Sequence, residues 1–318
     1  MSGYLKDGEW HEGSDGYASE DGSFKRWDTA FRDWITPDGA PGPDGQEAVA
    51  AEAGRFHLYV SYACPWAHRT LITRALKGIE ELIPVSVTHW LMRERGWTFD
   101  DGPGVVPDPN ENAKTIHELY QIAEPRVSGK ATVPVLWDKR ERRIVNNESS
   151  EIIRIFNSAF ADHGANDIDL YPQEHREEID AVNARVYDDV NNGVYKSGFA
   201  TTQKAYEEAV TPLFETLEWL EQRLEGQDYL VGGMLTEADI RLLTTLIRFD
   251  AVYYSHFKCN RRRIADYPNL QRFTVTLACS RAIAGTINME HAKRHYYESH
   301  ISINPTQIVP VGPDLAFG

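Results

Sequence analysis

The sequence predicts an α/β domain followed by an all-helical domain, and three observations carry that reading. Between residues 55 and about 165, apolar residues alternate with period two, then repeat at helical spacing, then alternate again. A further pair of alternating runs and a helix-like run complete a βαβ–insertion–ββα order. Past about residue 170 the period-two signal is gone and only helical spacing is left.

Each element has its own justification. Phe56, Leu58 and Val60 alternate with Arg55, His57 and Tyr59, which marks a strand. Leu71, Ile72, Ala75, Leu76 and Ile79 then fall on one helical face, and Gly78 suits the helix end. Ile83, Val85 and Val87 alternate again; strand, helix and strand in this order favour a parallel pair joined by a right-handed crossover. Residues 91–130 are too long for a simple connection, and they contain a short helix candidate from Lys114 to Ala123. Val133 to Trp137 and the stretch near Ile144 and Val145 flank a charged turn, which predicts a hairpin, and "SSEIIRIFNSAF" supplies the next helix. In the second half, Ile179, Val182, Val186 and Val190 are helix-spaced. Tyr206, Val210, Leu213, Leu217, Leu220 and Leu224 step by four and three. Thr236 and Asp239 form a capping box before an apolar run, and "YPNLQRFTVTLACS" is a further helix.

Residues 1–54 are rich in Gly, Asp and Pro but carry Trp10, Tyr17, Phe24, Trp27, Phe31 and Trp34. That many large aromatics suits an extended segment laid over the body of the protein. The expected divisions are therefore 1–54, 55–165 and 166–318.

A formal charge of −15, from 33 basic and 48 acidic side chains, argues against nucleic-acid binding. No apolar run approaches a membrane span, and the polar N-terminus has no signal-peptide core. Three scattered cysteines make no disulfide framework, so a reducing cytoplasm is the expected compartment.

Cys64, in "LYVSYACPWAHRTLITRALKG", has four readings: a buried inert thiol, half of a disulfide, a metal ligand or a nucleophile. A metal site would have only His68, four residues on, as a local partner. Context favours the nucleophile. Cys64 ends a strand and precedes Pro65, which fits the first helical position. Unpaired N–H groups and the positive end of the helix dipole there favour a thiolate. Val133-Pro134 lies in a strand-like run where proline cannot donate to a ladder; a cis bond at the strand start is one solution. Glu148 and Ser149 open the next helix. They either cap it or hold the two charged groups of a ligand, a carboxylate on Ser149 and an ammonium on Glu148. Cys259 precedes three arginines but lacks the strand-to-helix setting of Cys64, and is expected to be a bystander; Cys279 is expected to be buried in a helix.

These residues resemble the glutathione transferase superfamily, a thioredoxin-like domain followed by a helical one. The blocks "YVSYACPWAHRTLI", "GWTFDD", "TVPVLWDK", "NNESSEIIRIFN", "VNNGVYKSGFA", "LTEADIRL", "VYYSHFKCN" and "SINPTQI" resemble, more narrowly, its Xi class, the glutathionyl-hydroquinone reductases. The resemblance implies that Cys64 attacks the sulfur of a glutathionyl-hydroquinone and is held as a mixed disulfide. It implies that Trp97, Arg126, Val133, Glu148 and Ser149 contact glutathione. It places Tyr195, Tyr253 and Tyr296 around the aromatic ring; Tyr254 and Tyr297 are adjacent alternatives. The co-substrate is expected to be glutathione or another low-mass thiol such as γ-glutamylcysteine, with no metal, and the assembly a homodimer. A glutaredoxin-like thiol transferase and a non-catalytic quinone or xenobiotic binder are the alternative functions.

Overall fold

The structure is a computed structural model that describes residues 3–13, 19, 21–24 and 29–317. Tyr17 and Trp27 lie outside the described residues. The chain forms two compact units: residues 1–15, 27–168 and 290–301, and residues 16–26, 169–289 and 302–318.

The first unit begins with an antiparallel hairpin, β1 (Tyr4–Lys6) and β2 (Glu9–His11). Its turn uses positive φ at Asp7 and Gly8, 50° and 83°, which glycine adopts without steric cost. The hairpin is tied to the insertion by Leu5 N–H to Gly129 O, 2.8 Å, and the return bond at 2.9 Å. A short parallel pair follows, β3 (Trp34–Thr36) and β4 (Ala48–Ala50).

The central sheet holds four strands in the order β6-β5-β7-β8. They are β5 (Phe56–Val60), β6 (Val85–Val87), β7 (Val135–Asp138) and β8 (Arg143–Asn146). β5 and β6 are parallel; β7 runs antiparallel to β5 and to β8. The expected crossover helix is α1 (Pro65–Lys77), closed by Gly78 in the left-handed conformation (φ 67°). The insertion contributes α2 (Ile116–Ala123), and α3 (Ser149–Ser158) packs against α1.

All five residues of β5 are buried, including the His57 and Tyr59 that alternate with its apolar positions. The sheet is thus covered on both faces. The polar atoms are satisfied internally: Tyr59 O–H donates to Asp108 at 2.6 Å, and His57 Nε2 lies 2.9 Å from Ser86 Oγ. Burial drives His57 down to about 4 and keeps it a neutral ring at physiological pH. Arg55 closes the base of β5 on the fully buried Asp138, the shortest contact being 2.5 Å.

The second unit is helical, as expected. α4 (Arg176–Arg185) continues through a π-helical turn, Val186–Asn191, into α5 (Gly193–Phe199). α6 (Gln203–Arg223) buries Val210, Leu213, Leu217 and Leu220, the stripe seen in the sequence. α7 (Glu237–Arg248) is buried along its whole length and begins with the predicted capping box. Asp239 accepts from the N–H groups of Thr236 and Leu230, both at 2.8 Å, and from Thr236 Oγ1 at 3.0 Å. A second π-helical turn, Phe249–Tyr253, follows. Next come α8 (Pro268–Ala278), whose N-terminal amides are capped by Glu221, and α9 (Arg281–Ala284). The last helix, α10 (Met289–Ser299), belongs from Glu290 onward to the first unit.

One expectation fails here: Cys279 is exposed, not buried. It is the residue after α8 ends, beyond the buried stripe of Leu270, Phe273, Thr274, Leu277 and Ala278.

Candidate active site

The chain leaves β5 through a tight turn in which Ser61 holds the two residues that precede α1. Its carbonyl accepts the Cys64 N–H at 3.1 Å and its hydroxyl accepts the Ala63 N–H at 3.3 Å. Cys64 is thereby the residue that caps α1, extended at φ −76° and ψ 119°, with Pro65 in the first helical turn. That turn contains no acidic side chain, whereas Arg74 and Lys77 occupy the last. No carboxylate within that turn competes with the sulfur for the positive end of the helix. Cys64 is half-buried, and no disulfide involves it.

The Cys64 thiol donates to Val133 O at 3.5 Å. The Val133-Pro134 bond is cis and precedes β7 directly. The two sequence features singled out as a pair, 69 residues apart, therefore meet at the sulfur.

A buried phenol sets the position of this turn. Tyr120 O–H donates to Thr132 O (3.0 Å), while the same oxygen accepts the Thr132 N–H (3.2 Å) and Asn147 Nδ2–H (2.9 Å). It links the residue before Val133 to the residue before Glu148. Burial raises its pKa, so it stays a neutral donor.

Glu148 caps α3. Its Oε1 accepts from Ser150 N–H (3.0 Å), Ser150 Oγ (2.9 Å) and Ser149 Oγ (3.5 Å), and its own N–H is held by Asn146 Oδ1 at 2.7 Å. Burial pushes the carboxyl up, but the bonds from Ser150 and the charges of Arg69 and Arg32 outweigh it and hold the group below its ordinary value. Arg69 is 1% exposed; its guanidinium lies 3.4 Å from Ser149 Oγ and 4.5 Å from the centre of the Trp66 ring. In the sequence Arg69 is only a basic neighbour of Cys64. The structure directs it instead to the start of α3, a partnership 80 residues away that no local pattern announces.

Trp97 is 8% exposed, and its ring stacks on His295 of α10 at 4.7 Å and 24°. Arg126 is exposed, with its backbone N–H on Glu124. Tyr296 is buried in the first unit, edge-on to His295 (5.2 Å) and to His300 (5.4 Å); Tyr297 beside it is also buried. His295 itself carries no motif, so spacing alone could not single it out.

Tyr195 and Tyr253 belong to the second unit and lie 6.1 Å apart. Both pack against Phe257, with centroids at 5.6 Å, and Phe24 joins the cluster on Tyr195 and Phe199. Tyr253 is fully buried and Tyr254 half-buried. Cys259 lies behind this cluster, fully buried, its N–H bonded to Tyr253 O at 3.0 Å. Burial pushes its thiol up to about 12, against the lowering effects of Ser197 and Lys258; the three arginines after it do not activate it. Cys259 is thus an inert thiol at neutral pH, in contrast to the setting of Cys64. Among the described residues no group of three or more His, Cys, Asp or Glu side chains is placed to hold a metal ion.

A thioredoxin-like sheet with a capping cysteine beside a cis-proline, followed by a helical unit, defines the class of protein: a member of the glutathione transferase superfamily. The superfamily profiles agree, with the glutathione S-transferase N-terminal domain matching residues 63–159 and the C-terminal domain residues 203–274. Full-length relatives narrow the assignment. The glutathionyl-hydroquinone reductase PcpF of Sphingobium chlorophenolicum is 56% identical, over 98% of this chain and 96% of its own. The glutathione-bound structure of YqjG from Escherichia coli K-12 superposes with a TM-score of 0.91 at 52% identity, covering 99% of this chain and 97% of that one. A Xi-class transferase from Natrialba magadii superposes with a TM-score of 0.91 at 46% identity, covering 98% and 94%. The chain belongs to the glutathionyl-hydroquinone reductases, the Xi class of glutathione transferases.

Proposed function

We propose that this chain removes glutathione from glutathionyl-hydroquinones by reduction, with Cys64 as the nucleophile. The observation that carries the proposal is the cysteine at the N-terminus of α1, beside Val133 O. A transferase that conjugates glutathione needs at that point only a hydroxyl to hold the thiol. A sulfur there can form and exchange disulfides.

The steps balance as follows. The glutathionyl-hydroquinone takes its keto form when a proton moves from a ring hydroxyl to the carbon bearing sulfur. The Cys64 thiolate attacks the glutathione sulfur; the S–C bond breaks, its electron pair passes through the ring to the keto oxygen, and that oxygen takes a proton to give the hydroquinone. Cys64 is left in a mixed disulfide. A second glutathione thiolate attacks the glutathione sulfur, releasing glutathione disulfide and the Cys64 thiolate. The ring carbon is reduced by two electrons, one from the thioether sulfur and one from the incoming thiol, and the two sulfurs end joined in glutathione disulfide.

In this reading Val133 pairs with the cysteinyl backbone of glutathione, while Glu148 and Ser149 hold its γ-glutamyl end. Trp97 packs on the tripeptide and Arg126 offers an exposed charge to it. Tyr195, Tyr253 and Tyr296 supply phenols for the ring oxygens and for the proton movement. A homodimer in the cytoplasm is part of the same proposal, supported by the family; analytical ultracentrifugation tests the dimer.

Turnover of a glutathionyl-hydroquinone is compared with turnover of a small glutathionyl disulfide, in the native chain and in Cys64→Ser. The proposal expects the first substrate to be preferred and both activities to vanish in the variant. Preference for the disulfide would make the protein a glutaredoxin-like transferase. Full activity in Cys64→Ser would end the nucleophile reading.

A further inference from the structure

Trp97 sits at the end of a loop that the chain's two extremities grip from opposite directions in sequence. From the C-terminal side, α10 makes five contacts with it. His295 stacks on the Trp97 ring at 4.7 Å, and its Nδ1 donates to Trp90 O at 2.8 Å. Glu298 accepts the Trp90 indole N–H at 2.9 Å, its backbone carbonyl accepts from Arg93 at 2.9 Å, and Ser299 Oγ accepts the Met92 N–H at 3.0 Å. From the N-terminal side, Trp10 of the β1–β2 hairpin donates its indole N–H to Glu94 O at 3.0 Å and stacks on His117 at 4.1 Å. Its ring lies so close to Gly96 (φ 68°) that a Cβ there would come within 3.1 Å of it. Residues 92–96 therefore have Trp10 on one side and α10 on the other, and Trp97 follows immediately.

We propose that His295 is a positioning residue for the glutathionyl group: its imidazole fixes the plane of Trp97, and Trp10 sets the turn that delivers Trp97 to it. The inference rests on the reading that Trp97 contacts glutathione. The imidazole is held at Nδ1, which lies 2.8 Å from Trp90 O and 3.4 Å from Ser299 Oγ. A carbonyl can only accept, so Nδ1 carries the proton toward Trp90 O, and the ring face is left stacked on the indole at 24°. Tyr296, edge-on to the same imidazole, makes His295 the shared neighbour of a thiol contact and a proposed ring contact.

The test measures glutathione affinity by calorimetry on the reduced full-length protein, with KM and kcat for a glutathionyl-hydroquinone. The variants are His295→Ala, His295→Phe, His295→Asn, Trp10→Ala and Trp97→Ala. An aromatic pair contributes about 0.5–1.5 kcal/mol beyond burial, so losing the stack is expected to weaken binding about 2- to 12-fold. KM should rise by that factor with kcat changed less than about twofold. His295→Phe, which keeps a ring, should bind like the native protein; His295→Asn, which keeps the donor but no ring, should behave like alanine. Trp10→Ala should weaken binding in the same direction. If Trp97→Ala weakens binding while His295→Ala, His295→Asn and Trp10→Ala do not, the positioning role is wrong and the Trp97 reading stands. If Trp97→Ala itself binds normally, the underlying reading is wrong and the inference falls with it. Should the alanine variant fail to fold, phenylalanine against asparagine decides the matter: equal affinities overturn the inference.

Discussion

Replacing Glu148 by glutamine separates two roles that the sequence leaves open, a helix cap and a ligand group. Glutamine keeps an acceptor oxygen for Ser150 N–H and Oγ, now at 3.0 and 2.9 Å from Glu148 Oε1. The cap is then largely retained, and stability should fall by about 1 kcal/mol or less, the low side of a lost cap. The ligand role fares differently. A hydrogen bond between a carboxylate and an ammonium contributes about 1.5–3 kcal/mol, so losing the charge should weaken glutathione binding about 10- to 150-fold. Calorimetric titration with glutathione at pH 7, beside a thermal melt, reads both. The pH dependence adds a sign. In the folded chain Glu148 is held below its ordinary value of 4.5, so between the two values the folded state binds fewer protons than the unfolded one. Its stabilisation is complete above pH 4.5 and is lost as pH falls through the folded value, and ligand capture fades with it. The glutamine variant should lack that slope. Unchanged glutathione affinity in Glu148→Gln would leave Glu148 a helix cap and nothing more.

Three further variants probe the scaffold. Asp239→Ala leaves two buried N–H groups and a hydroxyl without their acceptor, and at about 1–3 kcal/mol each it should cost several kcal/mol by denaturant titration; a loss under 1 kcal/mol would contradict the capping geometry. Gly198→Ala puts a Cβ 2.2 Å from the Phe257 ring, which packs against both Tyr195 and Tyr253. Overpacking of this kind costs about 1–3 kcal/mol. It should lower kcat/KM for the aromatic substrate while glutathione affinity is kept; unchanged kcat/KM would detach this cluster from the substrate. Arg55→Ala strands the buried Asp138 carboxylate and should destabilise the chain by about 3–5 kcal/mol in a thermal or denaturant melt, whereas an exposed pair such as Arg294–Glu290 should contribute under 1 kcal/mol.

Much of the fold was legible because its signals are local. The switch from period two to helical spacing at Cys64, the left-handed Gly78 and the Thr236–Asp239 box each reside within a few residues of the feature they specify. Val133-Pro134 was legible as an anomaly, a proline in an apolar run, and the structure places it against Cys64. What was not legible depends on partners far away in the chain. The imidazole of His295 matters through Trp90 and Trp97, about 200 residues upstream. Arg69 matters through Ser149, and Tyr120 by joining Thr132 to Asn147. The two π-helical turns also escaped, because the apolar spacing from Ile179 to Val190 reads the same whether the backbone is α-helical or locally widened. Cys279 shows the limit of a helical pattern at its last residue, where one step beyond the stripe turns a side chain from core to solvent.

The central claim is that one sulfur, at the start of α1, accepts the glutathionyl group. Mass spectrometry of the intact reduced protein, after a single turnover with glutathionyl-hydroquinone and no free thiol, tests it directly. The account predicts one glutathione per chain, mapped to Cys64 by peptide analysis and released by added glutathione, with one hydroquinone formed for each adduct. Hydroquinone release with Cys64 unmodified, or an adduct on Cys279 alone, would contradict it.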